Sequence, residues 1–183
     1  MRNFLIGRRS SPSPPQPRPG RANLRATHGL KLVFRRTNPR DLPFIAEISG
    51  QVFSVYGPYD EIIPRWTSLP PIITVVVEEK GQRRGFAMIN AALEGSVPRG
   101  ELLAIAISPQ YQRRGIGGRL LRHMEGLARD LGIEELLIHT APANQAAHRF
   151  FGRNGFIQRG FVDCYYPMGQ QAVEMSKRLS MGP

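Results

Sequence analysis

An α/β domain is predicted, on three observations. Short β-branched and apolar runs begin at Lys31 and recur as far as Leu179, stretches with helical spacing alternate with them, and a glycine-rich turn joins the most continuous apolar run to the longest amphipathic stretch. Such an alternation builds a sheet with helices on its faces, and 183 residues suffice for one such domain.

Leu32-Val33-Phe34 reads as the first strand. Asn38 followed by Pro39 supplies a helix cap and a first-turn proline, after which Leu42, Ile45, Ile48 and Val52 fall on one face of a first helix. Gly57-Pro58 breaks the chain, and Asp60 to Trp66 forms a second, short helix before Pro70-Pro71. Ile72 to Glu78 and Arg84 to Ala92 flank a turn at Lys80-Gly81 and read as an antiparallel hairpin. Glu101 to Ile107 is apolar almost throughout, which marks a central strand. Ile116, Leu120, Met124, Leu127 and Leu131 step by three or four along a long helix that stops at Gly132. Leu136 to Thr140 is a further strand, Asn144 to Arg153 a helix closed by Gly155, and Phe156 to Phe161 and Ala172 to Leu179 the last two strands.

Residues 1–30 differ in texture. They hold Pro12, Pro14, Pro15, Pro17 and Pro19 and six arginines without one acid, a composition that cannot offset its ordering entropy, so a disordered tail is expected ahead of one catalytic domain over 31–183. The formal net charge of +11 owes much to this tail: without its arginines the chain carries 19 basic against 14 acidic residues. Nucleic-acid contact through the tail is therefore an open but not an expected role. No apolar run approaches the roughly 18 residues of a membrane span, and no apolar region follows Arg8-Arg9 as an export signal requires. A soluble, cytoplasmic protein, monomer or homodimer, is expected. Cys164 is alone, which leaves no disulfide framework, and no cluster of ligands suggests a metal.

The turn Gln112-Arg113-Arg114-Gly115-Ile116-Gly117-Gly118 stands at a strand-to-helix junction. Glycines let backbone N–H groups approach a ligand, the helix N-terminus favours an anion, and the two arginines can pair with phosphate. A tight turn alone needs similar residues. A Walker loop is excluded, because no Lys-Ser or Lys-Thr follows the glycines.

The run from Ile105-Ala106-Ile107-Ser108-Pro109 through Gln112, Gly115 and Gly117 resembles the signature of the GNAT N-acetyltransferases, a strand entering proline and then QxxGxG. Asn144, Ala147, Phe151, Gly155 and Phe156 are similar to the family's second pattern, NxxAxxxYxxxGF, with Phe151 where tyrosine is usual. The resemblance spans about residues 31 to 180. It implies a mixed, mostly antiparallel sheet splayed between its fourth and fifth strands, flanked by about four helices, with the pantetheine arm of acetyl-CoA in the gap. It also implies cofactor contacts from Ile105, Ala106, Ile107, the loop Gln112, Arg113, Arg114, Gly115, Ile116, Gly117 and Gly118, and from Asn144 and Phe151; Asn144 is equally suited to cap its helix.

Within that resemblance the backbone N–H of Ile105 polarises the thioester carbonyl. Glu101 sits where relatives carry a base or a water-positioning tyrosine, although a strand-end carboxylate in solvent is the ordinary alternative. Period-two alternation places residues 101, 103, 105 and 107 on one face. His139, five residues before Asn144, is the second candidate base, its alternative being a core histidine bonded to a carbonyl. Phe151 cannot protonate the coenzyme thiolate, a task left to Tyr165, Tyr166 or water. Asp163-Cys164-Tyr165-Tyr166-Pro167 looks like the segment that helps wall the peptide site in the ribosomal-protein-alanine and protein N-terminal acetyltransferase branch, and Phe53, Tyr56, Tyr59 and Trp66 would form the opposite wall. The expected acceptor is thus a protein or peptide α-amine, with a small amine, or a non-catalytic acetyl-CoA-binding module, as the competing readings.

Overall fold

The computed structural model describes residues 31–94 and 97–180. The tail assigned to residues 1–30, with its candidate nucleic-acid contact, lies outside them. The described chain forms β1 (Leu32–Arg36), α1 (Leu42–Phe53), α2 (Tyr59–Trp66), β2 (Ile72–Glu79), β3 (Gln82–Glu94), β4 (Arg99–Ile107), α3 (Ile116–Asp130), β5 (Glu135–Thr140), α4 (Gln145–Arg153), β6 (Ile157–Val162) and β7 (Ala172–Arg178). The strands make one sheet in the order β1-β2-β3-β4-β5-β7-β6, antiparallel throughout except for the parallel pair β4 and β5.

The local chemistry explains the boundaries. Lys80 and Gly81 both take positive φ, 51° and 73°, the geometry of a two-residue turn whose twist matches a hairpin. Gly132 closes α3 at φ 79°, with its own N–H bonded to Arg129 O and that of Ile133 to Ala128 O, so the last carbonyls of the helix are satisfied. Asn38 begins a single 3-10 turn, Pro39–Asp41, and not the helix directly as expected. Pro43 lacks the N–H that would reach back to Pro39 O, so α-helical bonding starts one turn later.

That turn is anchored by Asp41, which is fully buried. Its carboxylate accepts two bonds from Arg35, at 2.7 and 2.9 Å, one from Arg83 Nε at 2.6 Å and one from the Asn38 N–H at 2.8 Å. The Arg35 hydrogen bonds outweigh the opposing effect of burial and hold this carboxyl far below the usual range.

Two apolar layers sandwich the sheet. On one face Leu120, Leu121 and Met124 of α3 pack on Val75, Val77, Ala87, Ile89, Leu136 and Ile138. On the other, Ile45, Ile48 and Ile63 of α1 and α2 cover Val76, Phe86, Met88, Ala104 and Ala106. Val75, Val76 and Val77 therefore serve both layers in alternation, which is why β2 reads as an unbroken apolar run. The apolar contacts of α1 and α2 fall on the β2–β4 half of their face, and among the described residues no apolar layer covers β5, β7 and β6 there.

Candidate active site

β4 and β5 pair only from Arg99 opposite Glu135 to Leu102 opposite Ile138. Past that rung β4 stays with β3 and β5 with β7, so the sheet opens. The opening coincides with a bulge: Ile89 pairs with Leu102 and Met88 with Ala104, leaving Leu103 as an extra residue. One extra residue re-phases a strand. Leu102, Ile105 and Ile107 therefore pack on the α3 side, while Leu103, Ala104 and Ala106 pack on the α1 side. This corrects the period-two expectation for residues 101, 103, 105 and 107. Glu101, opposite in sense to Leu102, shares the α1 side with Leu103 but not with Ile105 and Ile107.

On that side, at the last rung, three candidate residues meet. The Glu101 carboxylate oxygen Oε1 accepts the Tyr165 hydroxyl at 2.7 Å and lies 2.7 Å from His139 Nδ1. The His139 and Tyr165 rings stack at 4.2 Å between centroids, 20° apart. Burial alone would raise the Glu101 carboxyl, but the bonds from His139 and Tyr165 prevail and hold it below its ordinary value. An ionised carboxylate only accepts, so Nδ1 carries a proton and the neutral ring presents its lone pair at Nε2. Nε2 stands 3.5 Å from Glu174 Oε2, placed to pair with the ring once that nitrogen is protonated. Burial, then the charge and hydrogen bond of Glu101, push the Tyr165 hydroxyl well above the usual tyrosine range. Burial does the same to Tyr166.

Two loops close over this cluster. Tyr56, before α2, stacks on Tyr166, between β6 and β7, at 4.8 Å, and Gln170 Nε2 donates to Val55 O at 3.0 Å. A Cβ on Gly57, which stands at φ 149°, would meet the Pro167 ring at 3.1 Å, so a side chain there would press the two loops apart. Phe53, Tyr59 and Trp66 continue the wall edge to face.

The glycine loop sits on the α3 side. Gly115 takes φ 78° and precedes α3 with no side-chain cap, and the first intrahelical bond is Arg119 N–H to Gly115 O. The N–H groups of Ile116, Gly117 and Gly118 are thus the unbonded first-turn donors that suit a pyrophosphate. Arg113 and Arg114 beside them are exposed, with Arg113 at φ 59°. Gln112 Nε2 donates to Ile107 O at 3.0 Å, tying the loop to the end of β4. The Thr140 hydroxyl, buried at the end of β5, has no hydrogen-bond partner among the described residues. An uncapped helix start, an opened strand pair and an orphaned hydroxyl fit the elongated, phosphate-bearing coenzyme.

Asn144 caps α4, its Oδ1 accepting the Ala147 N–H at 3.0 Å. Phe151 does not join the cluster: it is buried edge to face against Phe150 and Phe156. Its neighbour Phe150 instead approaches Gly117, within 3.6 Å of where a Cβ would stand. His123 stacks on Phe34, away from the cluster. Glu174 was missed by sequence reasoning, because only the β5–β7 register sets it opposite His139. Among the described residues no three metal-ligating side chains converge, and no helix is long and apolar enough to cross a membrane.

The sequence from residue 34 to 156 matches the model of the Acetyltransferase (GNAT) family. An uncharacterized N-acetyltransferase of Methanocaldococcus jannaschii is 25% identical over 150 residues, 80% of this chain and 92% of that one. The ribosomal-protein-bS18-alanine N-acetyltransferase of Escherichia coli is 28% identical over 106 residues, 56% of this chain and 69% of its own. Its crystal structure superposes with a TM-score of 0.70 at 22% identity, covering 83% of this chain and 96% of that one. A Salmonella typhimurium protein described as an acetyltransferase and solved with its cofactor acetyl-CoA gives 0.66 at 18% identity, covering 82% and 95%. The chain belongs to the GNAT acetyltransferase family. It is an acetyl-CoA-dependent N-acetyltransferase, and its sheet, with parallel β4 and β5, has the fold of those solved structures.

Proposed function

We propose that the protein acetylates the α-amino group of a protein or peptide N-terminus. The observation that carries this reading is the cluster of Glu101, His139 and Tyr165 at the last β4–β5 rung, roofed by the joined aromatic loops. The similarity to an enzyme acting on the alanine of a ribosomal protein supports the same acceptor class.

In this reading acetyl-CoA supplies an acetyl thioester, an acyl group on a good leaving group. The first-turn N–H groups of α3, with Arg113 and Arg114, hold its phosphates. Ile105, Ala106 and Ile107 line its path, the Ile105 N–H polarises the thioester carbonyl, and Asn144 adds a contact through its amide nitrogen. Glu101 fixes the His139 ring with its proton on Nδ1, and Nε2 takes the proton of the acceptor ammonium, next to Glu174. Tyr165 holds Glu101 in place and, with Tyr166, positions the acceptor backbone. Phe151 has no hydroxyl, so the departing thiolate is protonated by water or leaves unassisted.

The reading is tested by offering the protein free-N-terminus peptides, N-terminally blocked peptides containing lysine, a polyamine and an aminoglycoside, and mapping the acetyl group by mass spectrometry. Transfer to the α-amine is expected. Turnover of a small amine more than tenfold above every peptide overturns it.

A further inference from the structure

The half-sheet left bare by α1 and α2 carries a groove of about 430 Å³ on β4, β5, β6 and β7. Its walls are charged at both ends but with opposite sign. At one end stands Glu174, the carboxylate 3.5 Å from His139 Nε2. At the other are Arg99, Arg159 and Arg178 around Glu135. Glu135 is already committed: Arg99 Nε donates to it at 2.8 Å and the Ser176 hydroxyl at 2.7 Å, and Ser176 in turn accepts from Arg159 Nε at 2.7 Å. Arg178 makes no ion pair among the described residues, and Arg99 and Arg159 keep 54% and 43% of their side-chain surface in water. The far end therefore presents guanidinium groups outward around a carboxylate already engaged by Arg99, Ser176 and Arg159.

We infer that this groove selects acceptors with an acidic side chain at the third to fifth residue from the acetylated amine, which rests on the α-amine reading above. Glu174 and Arg178 lie on one face of β7 four residues apart, about 13 Å at the usual strand rise. An extended acceptor has the same rise, so with its ammonium at Glu174 and His139 its third to fifth side chains pass over the arginines. Charge argues against other occupants. The chain's own residues 1–30 carry six arginines and no acid, and polyamines and aminoglycosides are cationic along their whole length, so the arginine end repels them.

The test is kcat/KM for peptides of one N-terminal sequence with Glu, Gln or Lys at positions three to five, at low and high salt, with binding of the same peptides to the coenzyme A complex followed by fluorescence anisotropy. The Glu peptide should exceed the Gln peptide roughly three- to tenfold, as expected for partly exposed but convergent guanidinium pairs, and the ratio should shrink with salt. Arg178→Gln should bring the ratio toward one, and Arg178→Glu should turn it in favour of Lys. Equal rates and equal binding for Glu and Gln peptides overturn the inference while leaving the α-amine function intact. Acetylation of small amines with no peptide turnover overturns both. A dimer in sedimentation that Arg178→Glu dissociates shows the groove occupied by a second copy, which also overturns it.

Discussion

His139 offers Nδ1 to Glu101 at 2.7 Å, which leaves its other nitrogen as the basic atom of the cluster. His139→Ala should therefore lower kcat/KM by about 10²- to 10⁴-fold, the usual contribution of a general base, with the acetyl-CoA dissociation constant unchanged. Glu101→Gln should lower it by a smaller factor, because the ring remains but its tautomer is no longer enforced. Steady-state kinetics with both variants decides the matter: if each stays within about threefold of wild type, neither residue handles the proton.

Tyr165→Phe keeps the ring stacked on His139 and removes only the bond to Glu101. That bond lowers the Glu101 carboxyl, so its loss lets the group rise, and the Glu101 carboxyl signal followed by NMR should titrate at higher pH in the variant. Tyr165 itself is raised, so wild-type activity should show no falling limb from this hydroxyl as pH passes the ordinary tyrosine value of about 10. A Glu101 titration at the same pH in both proteins refutes the role given to Tyr165.

Gly118 has open space around it, with only Arg122 Nη1 at 3.7 Å from a built Cβ. Aspartate there sits in the first turn of α3, where an acid suits the helix dipole, yet it opposes a phosphate at the same N–H groups. Gly118→Asp should weaken coenzyme A binding by about tenfold or more, the effect of roughly 1.4 kcal/mol of like-charge repulsion, without lowering Tm. Unchanged affinity in calorimetry would falsify the loop assignment. Gly117→Trp is a poorer probe, because Phe150 and Ile107 already touch that position and overpacking would add its own cost.

Asp41→Asn should destabilise the fold by about 2 kcal/mol, less than the ~3–5 of a fully enclosed pair because Arg35 and Arg83 can still be solvated. Since the folded state depresses this carboxyl, its contribution is complete above the unfolded value of about 3.9 and fades as pH falls below it. Urea unfolding between pH 7 and pH 2 should show that acid loss in wild type and a shallower one in the variant.

The seven strands and four helices could be read from period and punctuation, because most of them bury one face or both and several end at a glycine, proline or cap; β6 buries no residue and was legible only from its β-branched and aromatic run after Gly155. The hairpin at Lys80-Gly81 and the stop at Gly132 are local events that local sequence specifies. Register is not local. Leu103 looks like any other apolar strand residue, and only its failure to pair with β3 reveals the bulge. Glu174 was equally silent, since a carboxylate on the last strand acquires meaning from its partner across β5. Glu101, His139 and Tyr165 could be named singly; that they form one hydrogen-bonded group depends on the bulge and on the β6–β7 loop.

The extra residue at Leu103 also bears on traffic. It turns Glu101 toward the α1 side while Ile105 and Ile107 turn toward α3, so the proposed donor and acceptor enter the gap from opposite surfaces of one sheet. Neither route runs through the other. Either substrate can arrive first and either product can leave first, so initial-rate plots for the two substrates should intersect, and a dead-end analogue of one should not trap the other.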